Sequence, residues 1–222
     1  MKGNLDELLI QKGVSDTHIK EMKQTHNFRE RLFSLYYKEN EEILSDVPLS
    51  KIKSLGYRGS TCLSWYDHAN GKGSNIDPRR SQIAYKHLLE QSLEEFQAFY
   101  KEYPVRLIYF EDDDFYAVNG DGTHRTLWAK ITGASSILAV VTVAHKDYAA
   151  YESFRNENRA SFKLKDIIQK LMKFSPNKIE TMFLWVIGKI LENGKYHNYG
   201  FVRLGLELYY IENAISKSSK SR

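Results

Sequence analysis

One stretch constrains the fold more than any other, because it switches from strand to helical period and back between Val105 and Val143. Val105, Leu107 and Tyr109 alternate as in a half-buried strand, and Glu111, Asp112, Asp113 and Asp114 make a polar turn. Phe115 to Val118 then returns as the second strand of a hairpin. Asn119-Gly120-Asp121-Gly122 is a glycine turn, and Thr123 suits the N-cap of a short helix over His124 to Thr132 that Gly133 closes. Ile137 to Ala144, rich in β-branched residues, reads as a buried strand. A hairpin followed by a helical crossover predicts an α/β (α+β) fold: a small mixed sheet with surrounding helices.

The flanks read as helix and loop. Ser15 is a candidate N-cap, and Ile19, Met22, Leu32, Phe33, Tyr36, Ile43 and Leu44 recur at helical spacings, which predicts helix over 15–45 with a break near Asn27. Asp46-Val47-Pro48 stops it, and Leu49 to Ile52 reads as a short strand or turn. Residues 56–75 hold four Gly and three Ser without periodicity. They read as a long loop bordering the glycine turn, in the manner of a lid. Leu89, Leu93, Phe96 and Tyr100 place one helix over 79–103, ended by Pro104. Leu164, Ile167, Ile168, Leu171 and Met172 mark another, Ser175-Pro176 starts a further helix running to Gly194, and 199–216 adds a last one. The expected organisation is an N-terminal helical segment over 1–46, a domain over 47–147 and a helical extension over 148–222.

Composition removes several function classes. Three Trp, 15 Tyr, 11 Phe and only four Pro exclude a disordered chain. The most apolar stretch, Met182 to Leu191, is too short to span a membrane and is interrupted by Gly188 and Lys189. Met1 to Asp6 lacks the basic-then-apolar pattern of a signal peptide, so a cytoplasmic protein is expected. A single cysteine, Cys62, allows neither an internal disulfide nor a cysteine-built zinc site. The net charge of +4 is uneven: Tyr151 to Arg222 carries 13 Lys and Arg against 7 Asp and Glu. Such an excess could touch nucleic acid or an acidic partner, but no Lys/Arg run reaches the block length of a nucleic-acid patch, which favours solvated helix faces.

The glycine turn carries the most chemical meaning. The first N–H groups of a helix lack internal acceptors and sit at the positive end of its dipole. Gly120 and Gly122 let backbone approach a ligand, Thr123 offers a hydroxyl, and His124 and Arg125 add donors and charge. Together they suit a phosphate. The alternative is a plain glycine turn, with Arg125 paired to Asp121 or to a glutamate on a neighbouring helix. Asp121 would repel an anion unless it pairs with Arg125 or Arg79, holds Mg²⁺ or acts as a base.

Gly122, His124, Arg125, Ala129, Lys130 and Gly133, set between these strands, resemble the ParB/sulfiredoxin-like superfamily, whose members share Gly-x-His-Arg or Gly-Glu-Arg-Arg at the opening of a short helix. Ile76-Asp77-Pro78-Arg79-Arg80 is similar to the family's Asn-Pro-Arg segment. The resemblance implies a nucleotide phosphate held at this helix start by Gly120, Gly122, Thr123, His124, Arg125 and Arg79. A nucleoside triphosphate with Mg²⁺ would suit such a site. Within the turn Asp121 and His124 are the catalytic candidates, with a structural turn aspartate the favoured role for Asp121. The departures matter too. Thr123 stands where sulfiredoxins carry their reactive cysteine, no helix-turn-helix follows as in ParB-type partition proteins, and no general base for a kinase branch stands out.

The leading expectation is therefore a nucleotide- or phosphate-binding protein, with NTP hydrolysis or phosphotransfer as its chemistry. A non-enzymatic regulatory protein on the same fold and a nuclease-like protein acting on DNA are the rivals. Asp112, Asp113 and Asp114 read as a hairpin turn rather than a cation site, since calcium needs more oxygens at defined spacing. His68, His87, His145 and His197 show no metal-ligand spacing, so no metal site is expected. Trp65, Trp128 and Trp185 read as core, with Trp65 the one candidate for stacking on a base.

Overall fold

The computed structural model describes residues 4–28, 30–60, 63–72, 75–174 and 200–216. The chain divides into two compact units, Met1–Asp147 with Ala214–Arg222, and Tyr148–Asn213.

The first unit is a mixed five-stranded sheet with helices packed on it, as the switching periods predict. Its strands are β1 (Tyr37–Pro48), β2 (Ile52–Ser54), β3 (Val105–Phe110), β4 (Phe115–Val118) and β5 (Ser136–Lys146), in the order β1-β5-β3-β4-β2. β1 and β5 run antiparallel, as do β3 and β4, whereas β3 with β5 and β2 with β4 are parallel. The helices are α1 (Leu5–Gln11), α2 (Asp16–Gln24), α3 (Trp65–Ala69), α4 (Pro78–Glu90), α5 (Leu93–Glu102) and α6 (Thr123–Ile131). Local chemistry starts each of the first five. Asn4, Ser15, Ser64, Asp77 and Ser92 accept a backbone N–H at the respective N-caps. Ser64 with Asp67 and Ser92 with Glu95 close full capping boxes, and Pro78 opens α4.

Alternation along the strands sends side chains to two different cores. Val105 and Leu107 of β3, Val118 of β4 and Ile137, Ala139 and Val141 of β5 are buried with Leu127, Trp128 and Ile131 of α6. Leu5, Leu8, Ile19 and Met22 of α1 and α2 belong to the same core. On the other face, Phe110 and Phe115 stack with ring centroids 4.8 Å apart. Phe33 sits against both, at 5.0 and 4.9 Å.

Three expectations about elements are corrected. Residues 37–48 are a strand, not the end of a helix: the spacing of Tyr36, Ile43 and Leu44 mimicked a helical face, but these residues follow a 3₁₀ turn over Glu30–Leu35 into an edge strand. The helix placed over 79–103 is two, because the capping box at Ser92 restarts the chain. The loop placed over 56–75 contains α3, whose Trp65 is fully buried.

The second unit contains α7 (Tyr148–Glu157), α8 (Arg159–Phe174) and, as far as Asn213, α9 (Gly200–Ser216). Ile168 of α8 is buried with Leu206 and Tyr209 of α9, and Lys165 pairs with Glu212 at 2.7 Å. Gly205 permits this approach, since a Cβ there would lie 2.9 Å from the Ser161 carbonyl oxygen. The helix expected from Ser175-Pro176 to Gly194, along with Cys62, Trp185 and His197, lies outside the described residues. No helix among the described residues is long and apolar enough to cross a membrane.

Candidate functional site

α6 begins where β4 ends, and the turn between them is held by β3. Asn119 N–H donates to the Arg106 carbonyl at 2.9 Å, and Arg106 N–H donates to the Asp121 carbonyl at 3.3 Å. Gly122, not Thr123, is the N-cap, with left-handed backbone at φ +97° and no side-chain cap. Only glycine fits, because a Cβ at 122 would sit 2.5 Å from the Val105 Cβ. Thr123 is the first helical residue and is buried. The first intrahelical bond runs from Thr126 N–H to the Gly122 carbonyl at 2.8 Å. The opening N–H groups of α6 thus precede the helical ladder, and among the described residues Gly122 provides no side-chain cap for them.

Arg125 makes the contacts of the ion-pair account. One terminal nitrogen bonds Asp121 Oδ2 at 2.9 Å. The other donates to the Tyr103 and Pro104 carbonyls at 2.6 and 3.3 Å, tying the α5–β3 connection to α6. His124 goes elsewhere. Its Nε2 lies 3.2 Å from the Asp77 carbonyl oxygen, and since a carbonyl only accepts, Nε2 carries the hydrogen. Burial lowers the His124 pKa, and the nearby Arg80 and Arg58 charges act in the same direction, so the imidazole is neutral at pH 7. The two proposed catalytic side chains, Asp121 and His124, therefore bond to different partners.

Arg79 enters the region through its backbone, where its N–H donates to Asp77 Oδ1 at 2.9 Å, while its side chain is exposed. The guanidinium groups whose charges reach His124 are those of Arg58 and Arg80, neither of which the sequence singled out. Arg80 holds Asp77 loosely, at 4.0 Å, and Arg58 leans on its neighbour Tyr57, Nε to the phenol oxygen at 2.9 Å. The signal for Arg80 was its place in Asp77-Pro78-Arg79-Arg80. Arg58, in a segment without periodicity, gave none.

A cavity of about 360 Å³ opens on the aromatic face of the sheet. Tyr57, Asn75, Ile108, Phe110 and Asn119 line it, as do the carboxylates Glu30 and Glu39. Tyr57 and Asn75, near the two ends of the 56–75 segment, thus both line the cavity, and described residues in and beside the segment are tied down by buried hydrogen bonds. Asn27, fully buried, accepts the Leu55 N–H at 2.8 Å. His68, also fully buried, accepts the Ser60 N–H at Nε2 (2.9 Å) and donates from Nδ1 to the Ser64 carbonyl at 2.7 Å.

The remaining candidates are structural. Trp65 is not available to stack on a base: it is buried, with the Lys130 ammonium 4.3 Å from its ring centroid. Lys130 itself is buried and donates to the Ile52 carbonyl of edge strand β2. Burial, with the Lys53 charge adding to it, lowers its pKa well below the usual lysine value. The acidic turn is satisfied by neighbouring elements: Asp113 accepts the Tyr37 hydroxyl at 2.7 Å and pairs with Lys146, and Asp114 pairs with Lys51 at 2.6 Å. Among the described residues no three His, Cys, Asp or Glu side chains converge to hold a metal.

The fold and site define a mixed-sheet α/β domain with an uncapped, arginine-flanked helix start. No protein-family model, curated protein or solved structure matches the chain. The likeness to the ParB/sulfiredoxin-like superfamily accordingly remains a resemblance of sequence over Val105 to Val143, with Ile76 to Arg80 upstream.

Proposed function

We propose that the first unit binds a phosphate-bearing small molecule, a nucleotide by preference, at the start of α6. One observation carries this reading: α6 opens on Gly122, which has no side chain to cap it, while Arg125 is already committed to Asp121 and two carbonyls. The Arg58 and Arg80 charges, which bear on His124 in the first turn, support it. Free N–H groups at the positive end of a helix dipole favour an anion, and two guanidinium groups add bidentate donors. The cavity suits the uncharged part of such a ligand. Tyr57 offers an exposed ring and Asn119 an amide, and these two are the chain neighbours of Arg58 and Gly120.

Binding, rather than hydrolysis or transfer, is the activity this geometry supports. Asp121 is tied to Arg125, and the Nε2 proton of His124 is spent on a carbonyl. Any Mg²⁺ would arrive on the phosphates. The test is isothermal titration with pyrophosphate and with nucleoside triphosphates against the parent and an Arg58→Ala/Arg80→Ala double variant. Loss of two charge-assisted contacts should weaken binding at least tenfold, or about 1.4 kcal/mol. Equal affinity for parent and double variant would remove the arginines from the site.

A further inference from the structure

β1 is the outer strand of the sheet, and among the described residues it pairs with β5 alone. Seven consecutive residues, Lys38 to Leu44, are exposed, so both faces of the strand are open there as well as its edge. Leu44 is 66% and Ile43 46% exposed, and alternation puts them on opposite faces. Val140, the register partner of Leu44, and Leu138 two residues away are half-buried on the same face, and they continue an apolar strip into the sheet. After a bulge between Glu39 and Glu42, the register is regular from Glu42 to Pro48. That stretch presents outward N–H and C=O groups that only another strand can satisfy in ladder fashion.

We propose that β1 accepts a basic, extended peptide segment of a partner protein as a sixth strand. The charge of the edge chooses the occupant. Glu39, Glu41, Glu42 and Asp46 stand against the single Lys38 within β1. A second copy of this chain would bring like charges opposite one another, which destabilises cross-strand pairs. A strand with Lys or Arg at alternate positions reverses the sign on the face of Glu42 and Asp46, and its intervening apolar residues cover Ile43 on the other face. Main-chain hydrogen bonds supply the affinity and the alternate side chains the specificity, as in other strand-addition complexes.

The test uses the whole chain and a capped heptapeptide of alternating Lys and Val, with a second peptide N-methylated at alternate residues. Titration calorimetry should show saturable binding of the first peptide, and hydrogen exchange should slow in residues 42–48. N-methylation should weaken binding at least tenfold, because it removes ladder donors while keeping charge. Glu41→Lys, at an exposed position, should also weaken it, with recovery for a peptide carrying Glu only at the one position opposite residue 41. Four results would overturn the proposal: no binding; equal binding of the N-methylated peptide; exchange protection elsewhere than β1; or protection of 42–48 that rises with protein concentration in the absence of peptide. The last would make β1 a self-association edge.

Discussion

Replacing Gly122 by Ala tests the geometry on which the start of α6 depends. At φ +97° an L-residue is strained, at about 1–2 kcal/mol. The added Cβ would also lie 2.5 Å from Val105 Cβ, 2.6 Å from its Cγ1 and 3.2 Å from its Cα. The first and last of these atoms cannot rotate away, so the turn or β3 must shift, at a cost of about 1–3 kcal/mol by analogy with overpacked cores. The expected loss is about 2–5 kcal/mol. Gly120 supplies the control, since it is left-handed too (φ +82°) but has nothing within 4 Å of an added Cβ. Gly120→Ala should therefore cost only the strain, about 1–2 kcal/mol. Urea unfolding followed by circular dichroism measures both, and the comparison cancels the backbone contribution they share. Indistinguishable losses for the two variants would refute the close approach of the turn to β3.

Other expectations follow from the contacts around this turn. Arg125→Ala should destabilise the fold by about 1–3 kcal/mol in thermal or urea unfolding, because two carbonyls lose a charged donor while the half-exposed ion pair itself is worth little. Arg125→Lys should recover only part of that loss, since an ammonium cannot span three acceptors on two sides. Asn27→Ala should cost about 1–3 kcal/mol by leaving the buried Leu55 N–H without an acceptor, read by the same unfolding assay. For pH, burial lowers the pKa of His68 below its ordinary 6.5, and that of His124 likewise. The unfolded chain then binds protons more readily, so stability is intact above pH 6.5 and falls as pH drops below it. His68→Gln should flatten that acid slope while lowering stability at pH 7, and an unchanged slope would dismiss His68 as its source.

How much of this was legible depended on whether local pattern and tertiary role agreed. The hairpin, α6 and β5 were readable because each combines a clear period with its own stop signal. β1 was not, since a strand exposed on both faces has no alternation to read, and Tyr36, Ile43 and Leu44 fell at helical spacing by accident. The capping boxes at Ser64 and Ser92 were present in the sequence and would have located α3 and the break between α4 and α5. At the site, the glycines and the Asp121–Arg125 spacing were visible. Which way Arg125 turns was not, because that depends on the carbonyls of Tyr103 and Pro104 brought beside it by the α5–β3 connection. Arg58 and the buried Lys130 owe their places to packing between elements distant in sequence, which no local pattern encodes.

The central claim, that α6 opens onto an anion, is most directly tested by following backbone amide resonances as pyrophosphate is added at constant ionic strength. The N–H groups of Thr123, His124 and Arg125 should shift together along one saturable curve, ahead of residues elsewhere in the sheet. Sulfate should compete with pyrophosphate, and sodium chloride at the same ionic strength should not. Shifts that never saturate, or that centre on residues remote from α6 while these three amides stay still, would contradict the claim and leave the turn as a purely structural joint between β4 and α6.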